Sequence, residues 1–504
     1  MSAKEQDSVN RQIARGAIWM VAFKMLDRSI AVISTIVLAR MLAPHDFGLV
    51  GMAIILVAAL SLLVSFGFDV QLIQNPKAGR DEFDTAWTFS VLFSVGCGVI
   101  LALLAAPAAQ FYREPELQTI IYVMAFTFAL DGFSNIGTVT FRREMRFDRE
   151  FKFLMSKRFA NLLVTIPLAI YLRNYWALVI GQLASSVLSV TLSYIVSTYR
   201  PRFSLKAKVD MFHTSKWLMI NNFFQFIHTR AASFLLARTA GAQWVGIYSM
   251  SAEIAHLPSN ELVAPVNRAA FPGYAKVAHD LPALRNSFLK VIGSIALISI
   301  PAGIGIVTVA DLLVPAAIGW KWVSAIPVIQ ILAVYGVIKA LQTNISYIYL
   351  ALGQVKRITV IWCIQIAFML AVLIPSVIKW GVMGAAWSYL VTAILMIPVN
   401  QALVARSLAL SGTAFLREIT RPLIAAVVMA VAVLAIKSQL VLRHETLDYV
   451  LALLLCVTVG ALVYVTVLYA LWRASSRRDG MERHAFLQLQ AMLGKAGIRV
   501  KLVN

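Results

Sequence analysis

Residues 19–52 read WMVAFKMLDRSIAVISTIVLARMLAPHDFGLVGM, which predicts two apolar helices joined by a short turn. The first helix carries Lys24, Asp27 and Arg28 near its centre. The pattern returns without a gap 198 residues later, the distance from Trp19 to Trp217. Other aligned positions are Leu38-Ala39-Arg40 with Leu236-Ala237-Arg238, Gly48 with Gly246, and Met52 with Met250. A repeat of this length in apolar helices predicts two related membrane halves rather than a solenoid of small units.

The composition excludes an ordinary soluble enzyme. The chain has 504 residues, 60% of them hydrophobic, and a mean hydropathy of +0.77. Apolar runs of about 20 residues recur, and each can cross a hydrocarbon core of about 30 Å as a helix. A net charge of +21 would suggest nucleic acid in a soluble protein. In a membrane protein its distribution reports topology instead, so no nucleic-acid partner is expected.

We predict an all-α membrane protein with about fourteen transmembrane helices. The first six spans lie near 16–39, 47–72, 84–108, 117–140, 154–172 and 175–198. The next six lie near 215–238, 244–266, 286–310, 324–350, 357–377 and 381–404, and two more near 421–440 and 447–472. The predicted domains are a six-helix bundle at 1–198, a second at 199–410, two additional helices at 411–473, and a basic cytoplasmic tail at 474–504.

The distribution of Lys and Arg predicts the topology. The N-terminus, the C-terminal tail and the loops after even-numbered helices together hold 33 of the 45 basic residues, whereas the other loops hold 8. Cytoplasmic loops of membrane proteins carry the excess of Lys and Arg. Both termini are therefore predicted to be cytoplasmic.

Charged residues at mid-span are the candidate site residues. The cations are Lys24, Arg28, Arg230 and Lys339, and the carboxylates are Asp27, Asp131 and Glu253. A charge at the centre of a membrane helix costs roughly 2.5–3.5 kcal/mol on insertion scales, so such groups face a protein interior or a watery cavity.

Two interpretations of these charges compete. In the first, they are internal ion pairs, with Asp27 neutralising Lys24 and the other carboxylates neutralising two more cations. In the second, the cations line a cavity between the halves and bind an anionic ligand. The cations lie on helices related by the repeat, where paired-half transporters place their sites, and this favours the cavity.

Prolines and missing motifs complete the evidence from single residues. Pro258, Pro265 and Pro272 are spaced by seven, so they share one face of the eighth helix and form either a fixed bend or a hinge. The sequence has no GxxxxGK[ST], HExxH, CxxC or GxSxG motif. We therefore expect no cofactor, no metal site and no enzymatic activity.

The two most basic loops are RREMRFDREFKF at 142–153 and YRPRFSLKAKVDMFHTSK at 199–216. Their charge is typical of cytoplasmic loops that lie near anionic lipid headgroups. A docking site for a cytoplasmic partner is the alternative.

Several of these stretches resemble one transporter family. STIVLARMLAPHDFGLVGMA (34–53), SFGFDVQLIQ (65–74) and DLLVPAAIGWKWVSAIPVIQILAV (311–334) are similar to polysaccharide transporters of the multidrug/oligosaccharidyl-lipid/polysaccharide flippase superfamily. The colanic acid exporter-like, or Wzx-like, branch is the most similar. The resemblance spans about residues 9–470 and does not specify the sugar.

The resemblance implies two six-helix bundles around a central cavity, with two extra helices. It implies a flippase that moves an undecaprenyl-pyrophosphate-linked oligosaccharide across the bacterial inner membrane by alternating access. Lys24 and Arg28 occupy positions comparable to cavity-facing basic residues of relatives, and Arg40 matches an Arg of the family pattern. The turn Pro44-His45-Asp46 departs from the Gly-x-x-Arg ending of peptidoglycan-precursor flippases, which argues against lipid II. Polysaccharide polymerase and assembly proteins are the implied protein partners.

Three alternative functions belong to other classes. A multidrug or cation antiporter of the same superfamily needs a net acidic cavity, whereas the central groups here are slightly basic. A membrane glycosyltransferase or polymer ligase needs a sizeable periplasmic loop and a catalytic carboxylate cluster, which the sequence lacks. A non-transporting scaffold leaves the buried charges without a purpose.

The topology predicts the outcome of enzyme fusions. Alkaline phosphatase folds only in the periplasm, so a fusion after Val503 should be inactive and a fusion near Arg113 should be active. Activity measured in whole cells and normalised to fusion abundance checks the assignment, and the reverse pattern would refute it.

Overall fold

The computed structural model describes residues 3–62, 71–73, 75, 78–207, 216–443, 445–475, 482, 487 and 490, and these residues contain helices but no strands. The chain divides into two compact units, Met1–Gly246 and Ile247–Asn504. The division lies further along the chain than the bundle boundary predicted after residue 198. The seventh helix therefore packs with the first unit.

In the described residues of the first unit there are seven long helices and the start of an eighth. Their bounds are α1 Ala3–Met41, α2 Pro44–Ser61, α3 Arg80–Tyr112, α4 Glu116–Asp131, α5 Phe147–Leu172, α6 Trp176–Val196, α7 Lys216–Thr239 and α8 Ala242–Ala255. A short 3-10 helix, Ile136–Val139, and one helical turn, Thr140–Arg143, connect α4 to α5. The most extensive packing joins α3 to α4, α5 to α6, and α1 to α5.

Local sequence explains where these helices begin. Pro44 occupies the first turn of α2, where its missing N–H costs nothing, and the Asp46 carboxylate accepts a 2.8 Å hydrogen bond from the Ala43 N–H. The second Asp46 oxygen accepts from the Tyr175 N–H at 3.0 Å. One carboxylate thus joins the α1–α2 turn to the α5–α6 turn.

The helix ends follow the sequence repeat. The first helix ends at Met41 and α7 ends at Thr239, while α2 begins at Pro44 and α8 begins at Ala242. Both pairs differ by the same 198 residues found in the sequence. The repeat therefore describes the same helix–turn–helix element built twice.

These two elements meet at the repeated glycines. A methyl group built on Gly48 would overlap the carbonyl oxygen of Ala242, and one built on Gly246 would overlap that of Pro44. Pro44 and Ala242 are themselves repeat partners, so the contact is reciprocal, as across an approximate two-fold axis. Only glycine allows the two backbones to approach this closely.

The second unit begins with a broken helix. The eighth predicted span becomes α8, a π-helical segment at Pro258–Val263, and α9 at Ala264–Lys276. The remaining helices are α10 Leu281–Ala317, α11 Ile326–Ala351, α12 Val355–Leu408, α13 Gly412–Lys437 and α14 Thr446–Ala474, with a 3-10 helix at Trp320–Ala325. The central helix is α10, which packs against α11, α13 and α14.

Two predicted spans, 357–377 and 381–404, are joined in α12. Gly381 interrupts this 54-residue element with φ 55° and ψ −131°. A side chain disfavours positive φ, so glycine is the residue that permits the break. At about 1.5 Å per residue the element is roughly 80 Å long, more than twice the thickness of a membrane core of about 30 Å, which agrees with two spans.

The two additional helices are fixed to α10. Lys437 of α13 places its ammonium 3.0 Å from Asp311 Oδ1 and donates to the Thr308 carbonyl oxygen at 3.0 Å. Tyr464 of α14 donates to the Leu297 carbonyl oxygen at 3.0 Å. Buried apolar residues of α10, α13 and α14, among them Ile300, fill the space between these three helices.

Among the described residues, nine helices are long and apolar enough to cross a membrane, or ten if the bent pair at Glu116–Asp131 and Ile136–Arg143 counts as one span. Counting α12 as two spans raises ten to eleven. Three further elements, which are either more polar or broken, raise the count to fourteen. These three are α1, α7 and the α8–α9 pair. The all-α membrane fold is therefore confirmed.

The glycine contact predicts the effect of a small substitution. Gly48→Ala should lower the free energy of unfolding by about 1–3 kcal/mol because the added methyl group overlaps backbone atoms. Gly96→Ala is the matched control, since Gly96 lies in α3 with no atom within 4 Å of the added position. The midpoint temperature of the detergent-purified protein measures both. Equal midpoints for the two variants would contradict the contact.

Candidate functional site

A polar cavity of about 550 Å³ opens within the first unit, between α1, α4, α5 and α6. Its lining residues are Phe23, Asp27, Asp131, Ser134, Leu154, Lys157, Arg158, Asn161, Gln182, Ser185 and Ser186. The volume lies within the range of roughly 300–1,000 Å³ typical of small-molecule sites. Four charged side chains and five amide or hydroxyl side chains make it far more polar than a helix interface.

The central ion pair of this cavity joins α1 to α5. Arg158 Nε lies 3.1 Å from Asp27 Oδ1, and the two side chains are 33% and 41% exposed. Aromatic contacts hold these helices together, with the rings of Trp19 and Phe151 5.0 Å apart. The carboxylate of Asp27 therefore faces a cation of the neighbouring helix, whereas the side chain of Lys24 is exposed on α1.

A second carboxylate and a second cation lie on the other side of the cavity. Asp131 ends α4, is hydrogen-bonded to Ser186, and interacts electrostatically with Lys157. The Lys157 backbone carbonyl accepts a 3.2 Å hydrogen bond from the Ser185 hydroxyl. These contacts connect α4, α5 and α6 around the polar interior.

The charges lie at a common depth. Asp27 is 14 residues before the end of α1 at Met41, Arg158 is 14 before the end of α5 at Leu172, and Asp131 is 15 after the start of α4 at Glu116. At about 1.5 Å per residue each lies roughly 21–22 Å from those helix ends. In a hydrocarbon core of about 30 Å, this depth is well inside the membrane.

The cavity is electrically balanced. Two carboxylates, Asp27 and Asp131, face two cations, Lys157 and Arg158, so its formal charge is zero. The sequence predicted instead that central cations would exceed carboxylates. An anionic ligand that binds here competes with the two carboxylates for Lys157 and Arg158.

The other predicted cations lie elsewhere in the fold. Lys24 and Arg28 lie on α1 but are not among the residues that line this cavity, and Arg28 is partly buried. Arg230 is partly buried on α7. Lys339 belongs to the second unit, where its ammonium lies 5.8 Å from the centre of the Tyr335 ring. Their role as ligand contacts stays a prediction.

Of the predicted carboxylates and prolines, only two carboxylates line this cavity. Asp27 and Asp131 meet in the cavity, whereas Glu253 is exposed on α8. Pro258 begins the π-helical segment and Pro265 lies in the first turn of α9. A π-helical segment changes the hydrogen-bond spacing of a helix and often marks functional sites. A hinge at these prolines stays a prediction.

Sequence reasoning missed Lys157 and Arg158. The topology count assigned both to the preceding basic loop, although they lie 10 and 11 residues inside α5, which starts at Phe147. A signal was present, because Lys157, Arg158 and Asn161 are spaced for one helix face. Gln182, Ser185 and Ser186, at i, i+3 and i+4, likewise share one face of α6. Across the part of the chain that the structure describes, no group of three His, Cys, Asp or Glu residues is arranged to hold a metal ion.

Comparison with known proteins gives one family and several relatives. A family model described as "Polysaccharide biosynthesis protein" matches residues 37–327. The chain is 24% identical over 470 residues to the teichuronic acid biosynthesis protein TuaB of Bacillus subtilis, covering 92% of this chain and 96% of that protein. It is 25% identical over 356 residues to the lipopolysaccharide biosynthesis protein WzxC of Escherichia coli, covering 69% and 72%.

Solved structures share the fold. An inward closed conformation of the lipid II flippase MurJ matches with a TM-score of 0.72 at 11% identity, covering 91% of this chain and 99% of that one. An inward-facing multidrug resistance MATE family transporter matches with a TM-score of 0.58 at 14% identity, covering 79% and 100%. At these identities the likeness shows a common all-α transporter fold.

The exposure of Asp27 and Arg158 predicts how much their ion pair contributes to the stability of the fold. Because Asp27 and Arg158 are each about one-third exposed or more, their coupling should contribute no more than about 1 kcal/mol to stability. A double-mutant cycle with Asp27→Asn and Arg158→Gln, followed by thermal unfolding in detergent, measures it. A coupling of several kcal/mol would identify the pair as a structural element instead.

Proposed function

Because the chain belongs to the family described as polysaccharide biosynthesis proteins, we propose that it flips an undecaprenyl-pyrophosphate-linked oligosaccharide across the bacterial inner membrane. The product would serve exopolysaccharide, O-antigen or capsule synthesis. The fold shared with a lipid II flippase and the names of the relatives support a lipid-linked sugar as cargo. The single observation that carries the proposal is the charged polar cavity between α1, α4, α5 and α6.

The cavity chemistry suits the three parts of such a ligand. The amide and hydroxyl groups of Asn161, Gln182 and Ser185 are suited to hydrogen bonds with sugar hydroxyls. A guanidinium binds phosphate oxygens through two parallel hydrogen bonds, so Arg158 is suited to the pyrophosphate. The polyprenyl chain is as apolar as lipid and can remain in the bilayer.

Charge exchange is the binding mechanism we propose. The pyrophosphate competes with Asp27 for Arg158, and Asp27 then loses its cation. Ligand binding would thereby break the ion pair that joins α1 to α5. The candidates for coupling transport to an ion are the carboxylates Asp27, Asp131 and Glu253. The candidate cations for ligand binding remain Lys24, Arg28, Arg230 and Lys339.

Transport would follow alternating access. Near the ends of α1 and α3, Glu114 accepts from the Ala242 N–H at 3.2 Å, and His45 lies 3.6 Å from the same carboxylate. Together with the Gly48 contact, these interactions would close the predicted periplasmic side and would separate when that side opens. Pro258 and Pro265 are the proposed hinge, and we propose that both termini lie in the cytoplasm, as the distribution of Lys and Arg predicts.

Two arginines test the ligand site. In a strain without the native gene, Arg158→Ala and Arg28→Ala should each abolish surface polysaccharide while leaving protein abundance near normal. Lys at either position should rescue only partly, because an ammonium lacks the bidentate fork. Arg173→Ala is the control, since Arg173 is exposed at the far end of α5. An abundant Arg158→Ala protein that exports normally would contradict the proposal.

A cation-coupled antiporter is the second candidate function. The observation behind it is the pair of carboxylates, Asp27 and Asp131, in one cavity, because cationic substrates need acidic partners; Lys157 and Arg158 balance their charge, which ranks this function second. Overexpression would then lower cell accumulation of a fluorescent cationic dye, and Asp27→Asn would restore it. A polysaccharide flippase leaves dye accumulation unchanged.

A further inference from the structure

The basic loop before α5 and the described start of the basic loop after α6, residues 199–207, come together in the fold. They enclose a second cavity of about 450 Å³ at the end of the first unit opposite the α1–α2 turn. Its lining residues are Arg80, Thr140, Phe141, Glu144, Arg146, Arg149, Val196, Ser197, Thr198, Tyr199 and Arg200. Arg80 begins α3, Arg146 directly precedes α5, and Arg200 follows α6. Three chain segments therefore supply four arginines to one pocket.

Not all arginines of these loops face the pocket. Arg142 forms an ion pair with Glu150, whose side chain is buried. Arg143 donates to the Ala78 carbonyl oxygen at 3.1 Å, and its guanidinium lies 5.8 Å from the centre of the Phe83 ring. Arg142 thus joins the turn before α5 to α5 itself, and Arg143 holds this turn against the start of α3. Arg146 and Arg149 instead line the pocket with exposed side chains.

The opposite wall is held in place by hydrogen bonds. Arg200 donates to the carbonyl oxygens of Ser197 at 2.7 Å and Tyr199 at 2.9 Å. The Tyr199 hydroxyl donates to Asp84 at 2.7 Å, and the Arg202 N–H donates to the same carboxylate oxygen at 2.8 Å. Asp84 is 4% exposed, so the segment after α6 is anchored to a buried group of α3. The pocket wall is thus preformed.

The charge of the pocket is positive even after its carboxylates are counted. Glu144 lies 3.2 Å from Arg146, and Asp84 lies 3.5 Å from Arg80. Four guanidinium groups against these two carboxylates leave a formal charge of +2. Grouped guanidinium groups bind phosphate through charge-assisted hydrogen bonds, which are stronger than neutral ones.

The position of the pocket selects among phosphate sources. It lies where α3 and α5 begin and α6 ends, which is the level of lipid headgroups for helices that cross the bilayer. Large apolar side chains close to it in sequence are exposed, Ile195 by 71% and Phe203 by 67%. An amphipathic surface of this kind suits a phosphate that carries an acyl or prenyl chain.

We propose that this pocket binds the phosphate group of a lipid in the adjacent leaflet. The lipid is either an anionic phospholipid or a polyprenyl pyrophosphate, which share a phosphate headgroup and an apolar chain. The proposal does not depend on the transported cargo, because it concerns binding at the membrane surface and not passage through the cavity of Asp27.

Lipid binding to the purified full-length protein tests the site. Native mass spectrometry in detergent compares phosphatidylglycerol, undecaprenyl pyrophosphate, phosphatidylcholine and inorganic pyrophosphate. The test variant is Arg146→Gln/Arg149→Gln. The control, Arg113→Gln/Arg173→Gln, removes two exposed arginines from the other ends of α3 and α5. Thermal midpoints confirm that each protein is folded, and Arg149→Gln alone serves if the double variant is not.

The test variant should bind the preferred anionic lipid about tenfold more weakly, and the control should bind as the native protein does. Tighter binding of undecaprenyl pyrophosphate than of phosphatidylglycerol would identify an entry site for polyprenyl lipids, and equal binding would identify a phospholipid anchor. Equal losses in both variants, or no loss in either, would overturn the site. Inorganic pyrophosphate that binds as tightly as the lipids would overturn the requirement for a lipid chain.

Discussion

Two helix backbones approach each other so closely at Gly48 and Gly246 that neither position has room for a side chain. This contact constrains the rest of the first unit. It places the start of α8 against the start of α2, so the Ala242 N–H reaches Glu114 and the Arg238 guanidinium lies 5.3 Å from the centre of the Phe111 ring. Because the contact joins repeat-related residues, any rearrangement at one turn must be matched at the other.

The cavity of Asp27 and Arg158 shows why mid-membrane charge is informative. Charges at this depth are costly unless they are paired or hydrated, and the Arg158 guanidinium lies 3.1 Å from the Asp27 carboxylate. The two cations of the cavity, Lys157 and Arg158, equal its two carboxylates, Asp27 and Asp131, in number. In our proposal a ligand phosphate competes with Asp27 for Arg158.

Different basic residues of the chain have different roles. Their distribution across alternate loops is a topological signal, and most of that charge needs no specific partner. In the region before α5, however, Arg142 and Arg143 hold the loop in place, while Arg146 and Arg149 face a cavity. Lys157 and Arg158, which follow within the helix, belong to the interior. Neighbouring cations thus have three different structural roles.

The sequence by itself determined the membrane class, the helix positions and the repeat, because hydropathy, helical period and glycine placement are local properties of the chain. It also identified Asp27 and Asp131 as site candidates, since a carboxylate inside an apolar span is visible without a fold. Only the tertiary structure decided that Arg158 faces Asp27, that the π-helical segment begins at Pro258, and that Arg146 joins Arg200 in one pocket. Each of these features depends on which helices are neighbours and how they are rotated, and a one-dimensional pattern does not contain that information.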